Sequence, residues 1–456
     1  MFLAREKELD ELRRFLESKD SRAALVYGKR RVGKSSLILE AVRGMENVLY
    51  FECLDASVER NIKALSERLR TDLSMPSVTA PDLFAFFDNL KAFGRPFIVI
   101  LDEYHNLRMN SDEGNMDSFM QSIIDSLGKS GMKIILSGSY VSLMKSLLER
   151  DNPLFGRFQA IIHLRELDYY DSSLFYPSRS VRDKVAFFSV FGGSPYALSS
   201  LSASTLKENI MELLLKENGI LRSYLEYTLF AELRKAQAAN EILDIIGNSK
   251  KRFGEISDST GALSSANVNR QLQLLLRMDV LERTTPINAP SERKTFYSIS
   301  DNLVRFYYAY VFHSRDTLNR IGPEMFYELY IEPSLDTFIS YRTEGIARSY
   351  FERLARRGLL KGVYDIGVYW YDDRKRRKNG EFDCVLKCRD GYDVYEVKNL
   401  SSPMTPDMMR EEIMKIRGIE GLDVRRIGFV SISGFEEEMD DVITISGEDL
   451  YSEALE

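Results

Sequence analysis

The segment Gly28-Lys29-Arg30-Arg31-Val32-Gly33-Lys34-Ser35 satisfies every fixed position of the pattern G-x-x-x-x-G-K-[ST]. Its surroundings constrain the fold as much as the pattern does. The apolar run Ala23–Tyr27 predicts a buried strand before it, and Ser36–Val42 predicts the opening of a helix after it. Strand, glycine-rich loop and helix in that order bind phosphate. The glycines let backbone N–H groups turn inward around phosphate oxygens, and the helix presents its positive end to them. Lys34 is expected to reach the β- and γ-phosphates, and the Ser35 hydroxyl to sit on Mg²⁺. Gly28 through Ser36 thus form the predicted cofactor loop, with ATP and Mg²⁺ as the expected cofactors; no base-reading motif separates ATP from GTP.

A hydrolytic apparatus is predicted one strand away. Pro96–Leu101 is a continuous apolar run that ends in Asp102 and Glu103, the pattern of a parallel strand buried on both faces. Asp102 can hold the metal through water, and Glu103 can orient and deprotonate the attacking water. A second run, Met132–Leu136, ends in Ser137-Gly138-Ser139. A hydroxyl there, that of Ser139, either senses the γ-phosphate from the neighbouring strand or belongs to a simple turn.

The chain has 456 residues, enough for two to four domains. The alternation of elements predicts an α/β protein. A P-loop NTPase core with a parallel sheet is expected over residues 1–165 and a helical lid over 166–235. A winged helix-turn-helix with a connecting helix should occupy 236–324, and a last α/β unit 325–456. No apolar run approaches the roughly 20 residues a membrane helix needs, and the first residues turn charged too soon for a signal peptide. Cys53, Cys384 and Cys388 are too few and badly spaced for a disulfide framework or a zinc cluster. A cytoplasmic protein with no membrane partner is expected. The net charge of −7 argues against a general polyanion coat, so any nucleic-acid contact must come from a local patch.

The expected winged helix offers a thin patch. Residues 236–300 carry eight basic and seven acidic residues. The candidate recognition helix, Ser265 to Arg277, has only Arg270 and Arg277 as cations beside Asn267, Asn269, Gln271 and Gln273. The loop Thr285–Ser291 would be the wing tip. Phosphate neutralisation dominates affinity for duplex DNA, so DNA contact and a packing or protein-docking role both stay open.

A second chemical signal lies near the C-terminus. Glu381-Phe382-Asp383 precedes a turn at Arg389-Asp390-Gly391 and a strand, Tyr392–Lys398, that contains Glu396. A hairpin there brings Asp383, Glu396 and Lys398 to one edge, because side chains at 396 and 398 share a face. Two carboxylates for Mg²⁺ and a lysine to activate water suffice for phosphodiester hydrolysis, with Glu344 as a third acid. Upstream, Arg374-Lys375-Arg376-Arg377-Lys378 is a basic loop suited to a nucleic-acid backbone. The alternative is a charged hairpin with a solvated basic loop.

Together these residues resemble the archaeal-type ATPases. That family comprises P-loop ATPases of the AAA+/STAND group, commonly followed by a winged helix and a domain similar to PD-(D/E)xK nucleases. The opening Phe2-Leu3-Ala4-Arg5-Glu6-Lys7-Glu8-Leu9 looks like the family's F-x-x-R-E-x-E-L segment, which implies that Arg5 lies beside the base. By the same likeness, Asp102 and Glu103 match the Walker B acids and Ser139 the sensor strand end. Pro153-Leu154-Phe155-Gly156-Arg157 is similar to the P-L-x-G-R element, implying that Arg157 meets the γ-phosphate in cis or across subunits. Gly192-Gly193-Ser194-Pro195-Tyr196 is similar to the STAND lid motif, whose proline, Pro195 here, packs near the nucleotide. The resemblance implies an ATP-driven switch, either acting on DNA with a Mg²⁺-dependent nuclease-like domain or signalling through an inactive docking module. Self-association is a further implied partner mode. One departure is that Cys384 and Val385 follow the first nuclease-type acid where a second polar group would stand.

Overall fold

The computed structural model describes residues 3–452 except 77, 112–114, 129, 230–237, 262, 289–294 and 374–377. It forms two compact units, one of residues 1–166 with 277–279, the other of 167–276 with 280–456. The expected wing tip beyond Asn288 and the basic loop Arg374–Arg377 lie outside the described residues.

In the first unit five strands, β1 (Ala23–Tyr27), β2 (Val48–Glu52), β3 (Ile98–Asp102), β4 (Lys133–Gly138) and β5 (Ala160–His163), lie in the order β2-β3-β4-β1-β5. All their pairings are parallel. Every residue of β1 and β4 is buried. That burial explains why the strands read as continuous apolar runs: helices cover both faces, so neither face is left polar. On one face Leu25, Leu49, Val99 and Leu136 pack with Leu65, Phe86, Phe87 and Ile123 from crossover helices. On the other, Ala24, Val26, Ile100 and Ile135 pack with Leu12 and Phe15 of helix Glu6–Glu17 and with Leu37 and Ile38 of helix Lys34–Ala41. Parallel strands bring their carboxyl ends to one edge, where ligands of open α/β sheets bind.

In the second unit the described part of residues 167–229 is helical, including Val181–Phe191, Pro195–Ser199 and wide turns at Met211–Leu215 and Tyr224–Leu229. Helices Ala239–Ile246, Phe253–Ser259 and Ser265–Arg277 follow. They accompany a small antiparallel sheet, β6 (Lys251–Arg252), β7 (Leu281–Thr284) and β8 (Phe296–Ile299), in the order β6-β8-β7. The sequence predicts only a ribbon of β7 and β8. At two residues β6 is too short to show the alternation that marks a strand.

The C-terminal part is a mixed sheet of β9 (Val363–Asp373), β10 (Lys378–Cys388), β11 (Gly391–Lys398), β12 (Val424–Ser431) and β13 (Val442–Ser446), ordered β13-β12-β11-β10-β9. β9, β10 and β11 pair antiparallel, and β11, β12 and β13 parallel. Helix Pro406–Arg417 makes the crossover that a parallel pair requires. Thr405 caps that helix, accepting from the Met408 N–H, and Pro406 takes the first position, where no N–H is needed. Cys384 and Cys388 are free and buried in β10.

Gly28 has no room for a side chain, because a Cβ there would lie 2.1 Å from the Leu164 carbonyl oxygen at the end of β5. Gly28→Ala is expected to cost roughly 1–3 kcal/mol of unfolding free energy, since backbone rather than a pliable side chain must move. Urea denaturation of the variant measures this.

Candidate functional site

The loop 28–35 leaves the carboxyl end of β1 and turns into helix Lys34–Ala41. Two of its residues take left-handed backbone angles, Arg31 at φ 66° and Gly33 at φ 95°. Alternation of left- and right-handed residues points successive N–H groups into one concavity, the geometry that binds anions. Lys34 is buried, and its ammonium donates to the carbonyls of Gly28 (3.0 Å) and Lys29 (2.9 Å). The cation therefore lies folded over the loop it would share with a phosphate. Arg5, the residue before helix Glu6–Glu17, is buried beside the loop and reaches the Val32 carbonyl (3.4 Å), the Arg165 carbonyl and Glu8. Lys29 pairs with Glu166 at 3.5 Å, and Arg30 reaches the Ser139 hydroxyl at 3.5 Å.

The acids sit at the end of the strand next but one. Asp102 Oδ2 accepts from the Ser35 hydroxyl at 2.6 Å and from the Tyr50 hydroxyl at 2.5 Å, and Oδ1 accepts from the Glu103 N–H at 3.0 Å. Burial alone would raise the Asp102 pKa, but these donors more than offset it and hold the carboxyl below its ordinary value. Burial and the neighbouring Asp102 charge push the Tyr50 phenol well up, so it stays a donor. A hydroxyl and an ionised carboxylate within hydrogen-bond distance form the donor set that Mg²⁺ takes alongside phosphate and water. The residues present fit that ion.

Glu103 has φ 53°, a left-handed conformation that costs a non-glycine residue energy and recurs at functional sites. Its Oε2 accepts from the Ser139 N–H (3.0 Å) and hydroxyl (2.7 Å), and His105 Nδ1 lies 3.1 Å from it. Ser139 therefore engages the acid on the neighbouring strand. Sequence reasoning missed Tyr50 and His105. The parallel register, Glu52 opposite Asp102, carries Tyr50 to that carboxylate, and register is not visible in a single sequence.

Arg157 departs from expectation. It precedes β5, where Gln159 bonds the amino end of β1 through Ala23, its N–H donating to the Ala23 carbonyl at 2.9 Å. The phosphate loop is at the other end of β1, five residues away, or about 16 Å. Arg157 instead binds Asp125 at 3.1 Å and the Pro153 carbonyl at 2.8 Å. Contact with a γ-phosphate in its own chain is not made in this arrangement. Pro195 opens helix Pro195–Ser199 in the second unit, with Ser194 before it.

Residues 2–201 match a family model described as an ATPase domain predominantly from Archaea. The first unit has a P-loop ATPase fold. Residues 307–413 match a model described as Archaea bacterial proteins of unknown function. An uncharacterized protein of Methanocaldococcus jannaschii is 25% identical over 81% of this chain and 82% of its own. A solved structure, the Walker-type ATPase of Pyrococcus abyssi, is 20% identical, covers 67% of this chain and 96% of its own, and superposes with a TM-score of 0.52.

The antiparallel register, Cys384 opposite Tyr395, makes Asp383 and Glu396 cross-strand neighbours, each with a lysine of its own. Lys398 Nζ lies 2.9 Å from Glu396 and 3.1 Å from Glu412 of helix Pro406–Arg417. Asp383 lies 3.3 Å from Lys250, which also pairs with Glu381. Burial raises the Glu396 pKa, with the Lys398 charge opposing. Burial, joined by the Asp383 charge, pushes Glu344 up to about 8, against Lys250 and Arg348. Among the described residues no group of three or more His, Cys, Asp or Glu side chains is gathered to hold a metal. As arranged, Asp383 faces Lys250 and Glu396 faces Lys398. The partners Lys250 and Glu412 gave no signal in the sequence, since each is a single charge on a separate element.

Glu344 yields a pH prediction. Its folded pKa is above the unfolded value, so folding is unhindered below about 4.5 and loses stability as pH rises towards 8. Glu344→Gln should abolish that loss, making the variant more stable than the parent at pH 8 by on the order of 2 kcal/mol but not at pH 4. Urea midpoints at the two pH values test it.

Proposed function

We propose that the chain is a Mg²⁺-dependent ATP-binding and hydrolysing switch of the AAA+/STAND kind. The observation that carries this is the loop 28–35 lying beside Asp102 and Glu103, with Ser35 already bonded to Asp102. Lys34, released from the Gly28 and Lys29 carbonyls, takes the β- and γ-phosphate oxygens, and the loop N–H groups take the rest. Ser35 and Asp102 would hold Mg²⁺, which would supply positive charge against the phosphates. Glu103 positions and deprotonates the attacking water. Ser139 engages Oε2 and so fixes the carboxylate, whose other oxygen is the one to meet the water. The roles of Arg5 beside the base, of Arg157 across a subunit boundary and of Pro195 at the lid are proposed from the family resemblance.

For the C-terminal half the docking reading is favoured over the nuclease reading. The segment 239–299 is read as a winged helix whose wing is already engaged: the Ile287 N–H donates to the Val368 carbonyl at 2.8 Å. The Asn288 side chain meets the Trp370 backbone at 2.7 and 3.1 Å. A wing bonded to β9 is not free for a minor groove, and Gln271 of the recognition helix is buried. DNA contact would then rest on Arg270 and its neighbours, and a cytoplasmic protein partner or second copy is the simpler user of this half.

Glu103→Gln should retain ATP binding and lower turnover by about 10²–10⁴-fold, the usual loss on removing a general base. Lys34→Ala should abolish nucleotide retention. Filter binding and phosphate release measure the two, and undiminished turnover in Glu103→Gln removes that residue from the mechanism.

A further inference from the structure

We infer that the Lys250 ammonium is the built-in counter-ion of the C-terminal acidic cluster, standing where a metal-dependent enzyme would carry its divalent cation. Lys250 precedes β6, so the cation comes from the 239–299 segment and not from the sheet that bears the acids. Its Nζ pairs with Glu381 and lies 3.3 Å from Asp383, both on β10. It also attracts Glu344 of helix Glu332–Arg356. Among the described residues Arg348 also reaches this group, its guanidinium donating to the Asp383 backbone carbonyl rather than to a carboxylate.

Several further contacts hold Lys250 in place. Its ammonium lies 5.9 Å from the Phe296 ring centroid. The neighbouring Arg252 stacks over both Phe296 and Trp370 at 5.0 Å. The wing residues Ile287 and Asn288 bond β9 on the same sheet. The carboxylates of Glu381 and Asp383 brought together repel one another unless a cation intervenes, and an ammonium on a fixed stem supplies that charge without a metal. The cluster is therefore an ionic joint that fastens the 239–299 segment to the β9–β11 hairpins. It does not depend on the proposed ATPase activity.

The test uses nucleotide-free full-length protein with Mn²⁺ as the probe, followed by electron paramagnetic resonance and by melting temperature. In a background carrying Asp102→Asn in every sample, which removes the proposed Mg²⁺ site of the first unit, the parent should melt at the same temperature with and without Mn²⁺. Lys250→Met should melt lower without metal, recover with Mn²⁺, and bind Mn²⁺ at least about tenfold more tightly than the parent. Lys250→Arg, which keeps the charge, should stay insensitive to Mn²⁺. Should Lys250→Met fail to fold, the pair Lys250→Met with Glu381→Gln restores charge balance and should fold; failure of both overturns the inference. Equal Mn²⁺ affinity in parent and Lys250→Met also overturns it, as does a parent stabilised by Mn²⁺.

Discussion

The hydrogen bond between Ser35 and Asp102 joins the parts of the first unit on which its chemistry depends. It links the end of the phosphate loop to the end of a strand one position removed in the sheet, since β4 lies between β1 and β3. Both ends reach the same edge only because every strand is parallel, and parallel strands need crossover helices on the two faces. The apolar clusters on those faces are thus the condition for the site rather than a separate matter of stability. A buried carboxylate without donors would be driven towards its neutral form, so Ser35, Tyr50 and the Glu103 N–H also keep Asp102 charged.

The same edge stores strain. Glu103 follows Asp102 with a left-handed backbone and turns its carboxylate towards Ser139 instead of open solution. In that position three groups compete for one oxygen: the Ser139 N–H, its hydroxyl and His105. Each contact is modest, but together they fix Oε2 of the carboxylate proposed as general base. A phosphate arriving near Ser139 would offer its hydroxyl and N–H a stronger acceptor and so free the acid. Ligand arrival and activation of the base then become one event, described by competition for shared donors.

Much of this was legible in the sequence, for definite reasons. The loop 28–35 and the run ending at Asp102 are local patterns in which each residue type has a backbone or chemical duty, so a single chain displays them. What was not legible is contact made by register or by distant elements. Tyr50 reaches Asp102 through strand pairing, and Arg157 lies at the wrong end of β5 although its motif suggested otherwise. In the C-terminal sheet the alternation of Glu396 and Lys398 was readable and the two do pair. The hairpin register does bring Asp383 beside Glu396, but Lys250 and Lys398 divide the acids between them as counter-ions.

That division bears on what the C-terminal sheet can do. A phosphodiesterase of the two-carboxylate kind needs its acids exposed to a cation and its lysine free to meet water or a leaving oxygen. Here Lys398 is held between Glu396 and Glu412, and Asp383 faces an ammonium that cannot activate water. Burial raises both Glu344 and Glu396, which further weakens them as ligands for a hard cation. Converting this arrangement to a metal site would require Lys250 to withdraw and the wing residues to leave β9 together, since both belong to the same segment. Such a concerted release costs every one of those contacts at once, and the resting state is accordingly a fastened joint.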